Sequence, residues 1–138
     1  MFDLKTQLLA ATLCLFAFSP IEANAQSVVS VTVSEDGMSA APQKVARGRI
    51  TLKVTNTSPR SRREIIVLPM KDDGRELLLR ADRKEDLDYA DDAVGRIANL
   101  VPKSTGVATM DLRSGTYIVT SNSRGPYLNG MWTAFQVK

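Results

Sequence analysis

Short segments in which apolar and polar residues alternate recur along this chain of 138 residues, and this period constrains its fold more than any other feature. In residues 27–34 three valines stand at every second position, which is the period of a half-buried β-strand. Residues 50–54 and 105–112 repeat the pattern, and turn residues stand between these segments. Short strands at this spacing predict an all-β sandwich or barrel.

Residues 115–137 predict two paired strands that hold a shaped loop. The flanks are apolar at Tyr117 and Val119 and again at Phe135 and Val137. Asparagine, glycine and proline residues fill the middle, as in a turn-rich loop. We expect chemistry at this loop, because loops held by a rigid scaffold carry a large share of binding and catalytic residues.

Four residues of this loop match a known pattern at fixed spacing: Asn122, Gly125, Tyr127 and Gly130. In this order they resemble the ligand loop of the cupredoxins, the small secreted blue-copper proteins whose loop reads Cys-Asn-x-Pro-Gly-His-Tyr-x-x-Gly-Met. The resemblance extends over residues 26–138. It implies an all-β, Greek-key β-sandwich or barrel of the cupredoxin type.

The resemblance also places the four copper-ligand positions of the family. The two histidines fall on Arg63 and Pro126, the cysteine on Ser121 and the methionine on Met131. A blue-copper site needs a thiolate and two imidazoles in a plane, with a thioether as a weak axial ligand. Arginine keeps its charge, a serine hydroxyl is not deprotonated near neutral pH, and proline has no side-chain ligand. We therefore expect no electron transfer through type-1 copper and no resident cofactor.

The first 25 residues predict a secretory signal peptide. Lys5 precedes a short apolar run over residues 8–18, and Ala23-Asn24-Ala25 has the small-x-small pattern of a cleavage site. An N-terminal anchor that stays in place is the alternative, although the run is shorter than the roughly 20 residues that span a bilayer. Cleavage would leave residues 26–138 as one domain, periplasmic or secreted, with no membrane span.

The chain from residue 26 onward has neither cysteine nor histidine. This composition excludes disulfides, a thiol nucleophile, a Ser-His-acid triad and imidazole ligation of zinc, copper or haem. Its adjacent acids lack the facing geometry of glycosidase carboxylates, so we expect no enzymatic activity. The segment keeps 17 basic and 13 acidic residues, and a net charge near +4 is too small to indicate a nucleic-acid partner.

A change of pattern marks residues 70–99 as an insertion. Acidic and basic residues are mixed there, and Leu87, Ala90, Val94 and Ile97 recur at helical spacing. We predict a short amphipathic surface helix over residues 86–97. A solvated charged loop with one helical turn is the alternative.

Thioethers allow a first hypothesis about the retained loop. They suit Cu(I), so Met131 and the other methionines after residue 26 predict a Cu(I) site in a periplasmic copper-handling protein. Methionines that only fill gaps in the core are the alternative.

Arginines from two separated segments allow a second hypothesis, a binding surface for an anion or an acidic protein. Arg60 and Arg62 precede Arg63, and Arg124 lies in the loop near Tyr127. Arginine holds carboxylates and phosphates through paired hydrogen bonds, and tyrosine adds contact area at interfaces. A solvated basic rim is the alternative. On this hypothesis the chain is a periplasmic binding or accessory protein with an unidentified protein or anionic partner.

Overall fold

A computed structural model describes residues 26–70, 93–121 and 131–138, and in these residues the chain is all-β. Within these ranges no helix has the length and apolar character that crossing a membrane requires. The signal peptide predicted over residues 1–25 lies outside them. The described strands are β1 (Ser27–Val33), β2 (Met38–Ala41), β3 (Lys44–Val45), β4 (Gly48–Asn56), β5 (Arg63–Pro69), β6 (Gly95–Leu100), β7 (Ser104–Leu112), β8 (Gly115–Ser121) and β9 (Trp132–Val137).

The described strands form two sheets, with the orders β2-β1-β4-β7 and β3-β9-β8-β5-β6. Strand β1 is parallel to β4 and β3 is parallel to β9, while the other pairs are antiparallel, so both sheets are mixed. The chain changes sheet several times, and at two of these passages, from β2 to β3 and from β6 to β7, it joins an edge strand of one sheet to an edge strand of the other. The all-β sandwich predicted from the alternating pattern is confirmed.

One apolar core lies between the two sheets. Val29, Val31 and Val33 of β1 are buried in the same cluster as Ile65 and Val67 of β5. Burial of side chains of this size contributes roughly 1.5–3 kcal/mol each. In β1 and β4 the alternation therefore reflects one face on the core and the other toward solvent, whereas most of β5 and β8 is buried on both faces.

The C-terminal part of the predicted helix is a strand, so that prediction is wrong there. Residues 86–92 lie outside the described part of the chain, but Gly95–Leu100 forms β6 at the edge of the five-stranded sheet. Residues 95–99, the last five of the insertion predicted over residues 70–99, therefore belong to the sheet.

A β-bulge in β6 explains why the sequence pattern suggested a helix. Ile97 and Leu100 are both buried although they are three residues apart. Leu100 is opposite Arg63 and Ile97 is opposite Ile65, so β6 has one residue more than β5 between the two pairs. Asn99, within this interval, has a left-handed φ of 56°. The extra residue lets a strand bury positions i and i+3, which is also the spacing of a helix face.

Two glycines, one near each end of the contact between β6 and β7, allow these strands to approach closely. A Cβ atom at Gly106 would lie 2.7 Å from Ile97 Cγ2 and 3.1 Å from Leu100 Cδ1. A Cβ atom at Gly95 would lie 2.6 Å from Met110 Cε. These positions need glycine because a neighbouring side chain fills the space that a Cβ would take.

We expect Gly106→Val to lower the free energy of unfolding by about 1–3 kcal/mol, because its added carbons would overlap the side chains of β6. Urea unfolding followed by fluorescence measures the change. Val107→Thr is the matched control, since Val107 is 60% exposed and its replacement should change stability by less than about 0.5 kcal/mol. Unchanged stability of the Gly106 variant would contradict the close approach.

Candidate functional site

Residues at three of the four copper-ligand positions lie at one end of the five-stranded sheet. Arg63 begins β5, Ser121 ends β8, and Met131 immediately precedes β9. Ser121 is opposite Ile65, two residues from Arg63, and its backbone N–H donates to the carbonyl of Met131 at 3.2 Å. The fold thus brings these positions together, as the sequence resemblance implies.

The remaining predicted site residues lie outside the described part of the chain. They are Pro126, Arg124 and Tyr127, all within residues 122–130, and their roles stay predictions. In the described ranges, no three or more histidine, cysteine, aspartate or glutamate side chains are grouped so that they could hold a metal ion.

The methionines after residue 26 divide between the two ends of the sandwich. Met131 is 4% exposed and belongs to the core. Met38 packs against that core, and it begins β2 opposite Val33, which is itself opposite Asn56. Met110 is buried near the start of β4, and Met70 follows the far end of β5. The thioethers that lie at the Arg63 end are therefore Met38 and Met131.

The side chain of Asn56 connects three segments at this end of the molecule. It is fully buried at the end of β4, and its amide nitrogen donates to the carbonyls of Ser61 at 2.8 Å, Leu100 at 3.1 Å and Val101 at 3.3 Å. Its carbonyl oxygen accepts from the backbone N–H of Ser58 at 3.1 Å. These bonds fix the loop after β4, from which the chain enters β5.

The carboxylate of Glu35 receives hydrogen bonds from two serines of that loop. The hydroxyl of Ser58 donates to Oε1, the hydroxyl of Ser61 donates to Oε1 at 3.0 Å, and Arg63 Nη2 lies 3.6 Å from Oε2. The hydrogen bonds from Ser58 and then Ser61 lower the pKa of Glu35 against an opposing effect of desolvation, and the charges of Arg63 and Arg60 act in the same direction as the hydrogen bonds. Glu35 is therefore negatively charged at neutral pH and offsets one of the nearby positive charges.

The three described arginines of the predicted binding surface differ in their surroundings. Arg60 is exposed, and Arg62 is exposed with Nη1 donating to Asn99 Oδ1 at 2.7 Å. The side chain of Arg63 is only 13% exposed, and its Nε is buried without a hydrogen-bond partner. An unsatisfied buried donor costs about 1–3 kcal/mol. At the position of the first family ligand, Arg63 therefore has one buried N–H that makes no hydrogen bond.

Sequence reasoning missed Glu35, Asn56 and Ser58 as parts of this site. The sequence indicates a turn at Glu35 and a strand end at Asn56, and an Asn-x-Ser pattern is typical of the local turn in which Ser58 N–H bonds to Asn56. No local pattern indicates the bonds from Asn56 to Leu100 and Val101, which are more than 40 residues away along the chain.

Comparison with known proteins finds similarity in structure alone. No protein-family model and no curated protein matches the chain. Auracyanin from the photosynthetic bacterium Roseiflexus castenholzii superimposes with a TM-score of 0.61 at 17% identity, covering 81% of this chain and 96% of that one. Auracyanin A, a blue copper protein from Chloroflexus aurantiacus, has a TM-score of 0.55 at 14% identity, covering 81% of this chain and 100% of that one.

Reduced rusticyanin is similar to the same degree, with a TM-score of 0.61 at 14% identity, covering 82% of this chain and 79% of that one. At such identities the similarity establishes the fold and nothing further. The fold is that of the cupredoxins, as the residues of the loop implied.

We expect Asn56→Ala to lower the free energy of unfolding by about 2–4 kcal/mol, because it leaves one buried and two partly buried carbonyls without this donor. Asn56→Asp should be at least as damaging, since a carboxylate would face the same carbonyl oxygens. Denaturant unfolding measures both. Asn99→Gly is the control, because it suits the left-handed φ and removes only the exposed bond to Arg62. Equal losses of stability for Asn56→Ala and Asn99→Gly would contradict the central role of the buried amide.

The lowered pKa of Glu35 predicts a pH dependence of stability. A carboxyl whose pKa is lower in the folded than in the unfolded protein contributes fully above its ordinary value of 4.5, and this contribution is lost as the pH falls through the folded pKa. Glu35→Gln does not titrate, so its stability should fall less than that of the wild type between pH ~6 and pH ~3. Thermal unfolding across this range measures the difference.

Asp36→Asn is the matched control for this experiment, because it removes a carboxyl from the next position of the same turn and leaves Glu35 in place. It should retain the wild-type loss of stability on acidification. The same loss in wild type and Glu35→Gln would show that the hydrogen bonds to Glu35 do not stabilise the folded state.

Proposed function

We propose that this chain, which has the cupredoxin fold, is a periplasmic binding or accessory protein that holds no type-1 copper and transfers no electrons through copper. The observation that carries the proposal is the pair of Arg63 and Glu35, in which a guanidinium of low exposure lies where the resemblance places the first imidazole ligand. The signal peptide predicted over residues 1–25 supports a location outside the cytoplasm.

The described residues do not fit a type-1 copper ion. The positive guanidinium of Arg63 would repel Cu(II), while Ser121 offers a hydroxyl where the family has a thiolate. Met131 could supply only the weak axial contact of such a site. Glu35 is the one carboxylate in the described network, and its oxygens already accept bonds from two serines and face Arg63.

The same residues support binding of an anion or of an acidic protein surface. Arg60 and Arg62 are exposed, and they stand beside the partly exposed side chain of Arg63. Glu35 balances one of these three positive charges, so the described cluster keeps a net charge of about +2. Arg124 and Tyr127 belong to this proposed surface as well, on the basis of the sequence.

A periplasmic copper-handling protein that binds Cu(I) through thioethers is the second candidate. The observation in its favour is that Met38 and Met131 lie at the Arg63 end of the sandwich. Thioethers are suitable ligands for Cu(I), whereas they bind Cu(II) weakly. We propose no enzymatic activity for either candidate. The carboxylate beside the hydroxyls of Ser58 and Ser61 is Glu35, whose lowered pKa makes it a weak base, and Ser58 is buried.

The test is a titration of the purified mature protein, residues 26–138, with Cu(I) and with Cu(II). We expect no intense blue absorption with Cu(II), because no thiolate is present to give a charge-transfer band. Elemental analysis after desalting gives the metal stoichiometry alongside the visible spectrum. A blue protein with one copper per chain would overturn the proposal.

Met131→Leu separates the two candidates. Leucine has a similar volume, so the substitution should cost less than about 1.5 kcal/mol of stability while removing the thioether. If Cu(I) binding through thioethers is the function, this variant loses it and the control Met110→Leu retains it, because Met110 lies toward the other end of the core. Absence of Cu(I) binding in the wild type would eliminate the second candidate.

A further inference from the structure

A groove of about 440 Å³ lies on the outer face of the five-stranded sheet. Residues at every second position of β9 share one face of the sheet, and Phe135 and Val137 between them are buried in the core. Lys44 and Thr116 are both opposite Gln136, so their side chains project on the same outer side. The outward side chains that line the groove are Lys44, Thr116, Trp132, Ala134 and Gln136.

Aromatic and neutral polar groups are combined along this groove. Trp132 is partly buried and already interacts with another residue of the protein, and the part of its flat, apolar indole that borders the groove stays open. The small side chain of Ala134 leaves open space beside it. The amide of Gln136 and the hydroxyl of Thr116 can each donate and accept hydrogen bonds. A sugar ring has matching features, an apolar C–H face and hydroxyls that both donate and accept.

A positive charge stands at the end of the groove farthest from Trp132. Lys44 is exposed opposite Gln136, and Arg47 is exposed just beyond β3. The four steps along β9 from Trp132 to Gln136 span about 13 Å at ~3.3 Å per residue. The groove therefore matches an extended ligand with a ring at one end and an anionic group at the other.

Other ligand classes fit the groove less well. Ile66, Leu68 and Ile118 are at most 3% exposed, so the aliphatic residues of β5 and β8 offer no open surface to an acyl chain. A phosphate-binding cradle uses free backbone N–H groups at a loop or helix start. Here the walls are strands, and Gln136 N–H, for example, donates to the carbonyl of Gln43 at 2.7 Å.

We propose that this groove binds a short acidic saccharide. The indole of Trp132 packs against a sugar ring, Gln136 and Thr116 hydrogen-bond to its hydroxyls, and Lys44 pairs with a carboxylate of the sugar chain. The groove is on the outer face of the sheet, whereas Arg63 shares the inward parity of Ile65 at the sheet end. This proposal is therefore independent of the function proposed above.

The experiment titrates the purified protein with an oligomer of galacturonic acid and, in parallel, with the neutral galactose oligomer of equal length. Trp132 is the only tryptophan of the chain, so its emission reports directly on the groove. Ionic strength is held near 0.15 M to screen weak surface attraction. We expect a saturable emission change with the acidic oligomer and weaker binding of the neutral one.

Substitutions test the assigned contacts. Lys44→Gln should weaken binding of the acidic oligomer about tenfold and leave binding of the neutral one unchanged. Gln136→Ala should weaken binding of both. Lys53→Gln is the matched control, an exposed lysine on β4 of the other sheet, and it should change neither affinity.

Three outcomes would overturn the proposal. The first is that neither oligomer changes the emission of Trp132 and neither gives a heat of binding in a calorimetric titration. The second is equal affinity for the two oligomers together with no effect of Lys44→Gln, which would show that the groove does not select acidic saccharides. The third is equal weakening by Lys44→Gln and Lys53→Gln, which would indicate general attraction of a polyanion to a basic protein.

Discussion

Backbone carbonyls at the ends of strands need hydrogen-bond donors when they are buried, and here one side chain supplies several of them. The amide of Asn56 bonds to carbonyls in the loop after β4 and at the end of β6, so it joins strands of both sheets at one point. The position of Ser58 and Ser61 depends on this junction, and through them so does Glu35. The geometry around Arg63 therefore depends on a neutral amide that is itself far from solvent.

Protein groups connect the strands at this end of the sandwich, where the family resemblance places a metal ion. A copper ion would join strands through its ligands and bring its own positive charge. At this end of the sandwich Arg63 faces the carboxylate of Glu35, and hydrogen bonds from the serine hydroxyls and from Asn56 connect the segments. Each connection crosses from one segment to another, so the network can hold the strand ends in register by hydrogen bonds and an ion pair.

Local sequence patterns predicted the strands well because burial on one face imposes a period of two residues. The valines of β1 are an example, since every second position is buried. The same logic fails in β6, where a bulge at Asn99 changes the spacing of buried residues to three and suggests a helix. A pattern analysis that assumes a regular backbone cannot detect a single extra residue with a left-handed φ.

The candidate site was predictable in part. The gathering of Arg63, Ser121 and Met131 followed from a loop that resembles a known one, because the resemblance carries the strand arrangement with it. The role of Glu35 did not follow, since its partners lie more than 20 residues away across a sheet boundary. The outer groove could not be predicted from the sequence either, because Lys44 and Gln136 become neighbours only through the parallel pairing of β3 with β9.

Two of the passages of the chain between sheets join edge strands, and this has a consequence for behaviour at high concentration. Strands β2 and β7 are the edges of one described sheet, and β3 and β6 are the edges of the other. Because β2 continues directly into β3 and β6 into β7, each sheet edge ends at a corner made of continuous chain. Open edges are templates on which another molecule can add a strand, and proteins avoid this by shortening, twisting or covering them. The two corners thus disfavour edge-to-edge assembly of separate molecules, in addition to closing the sandwich.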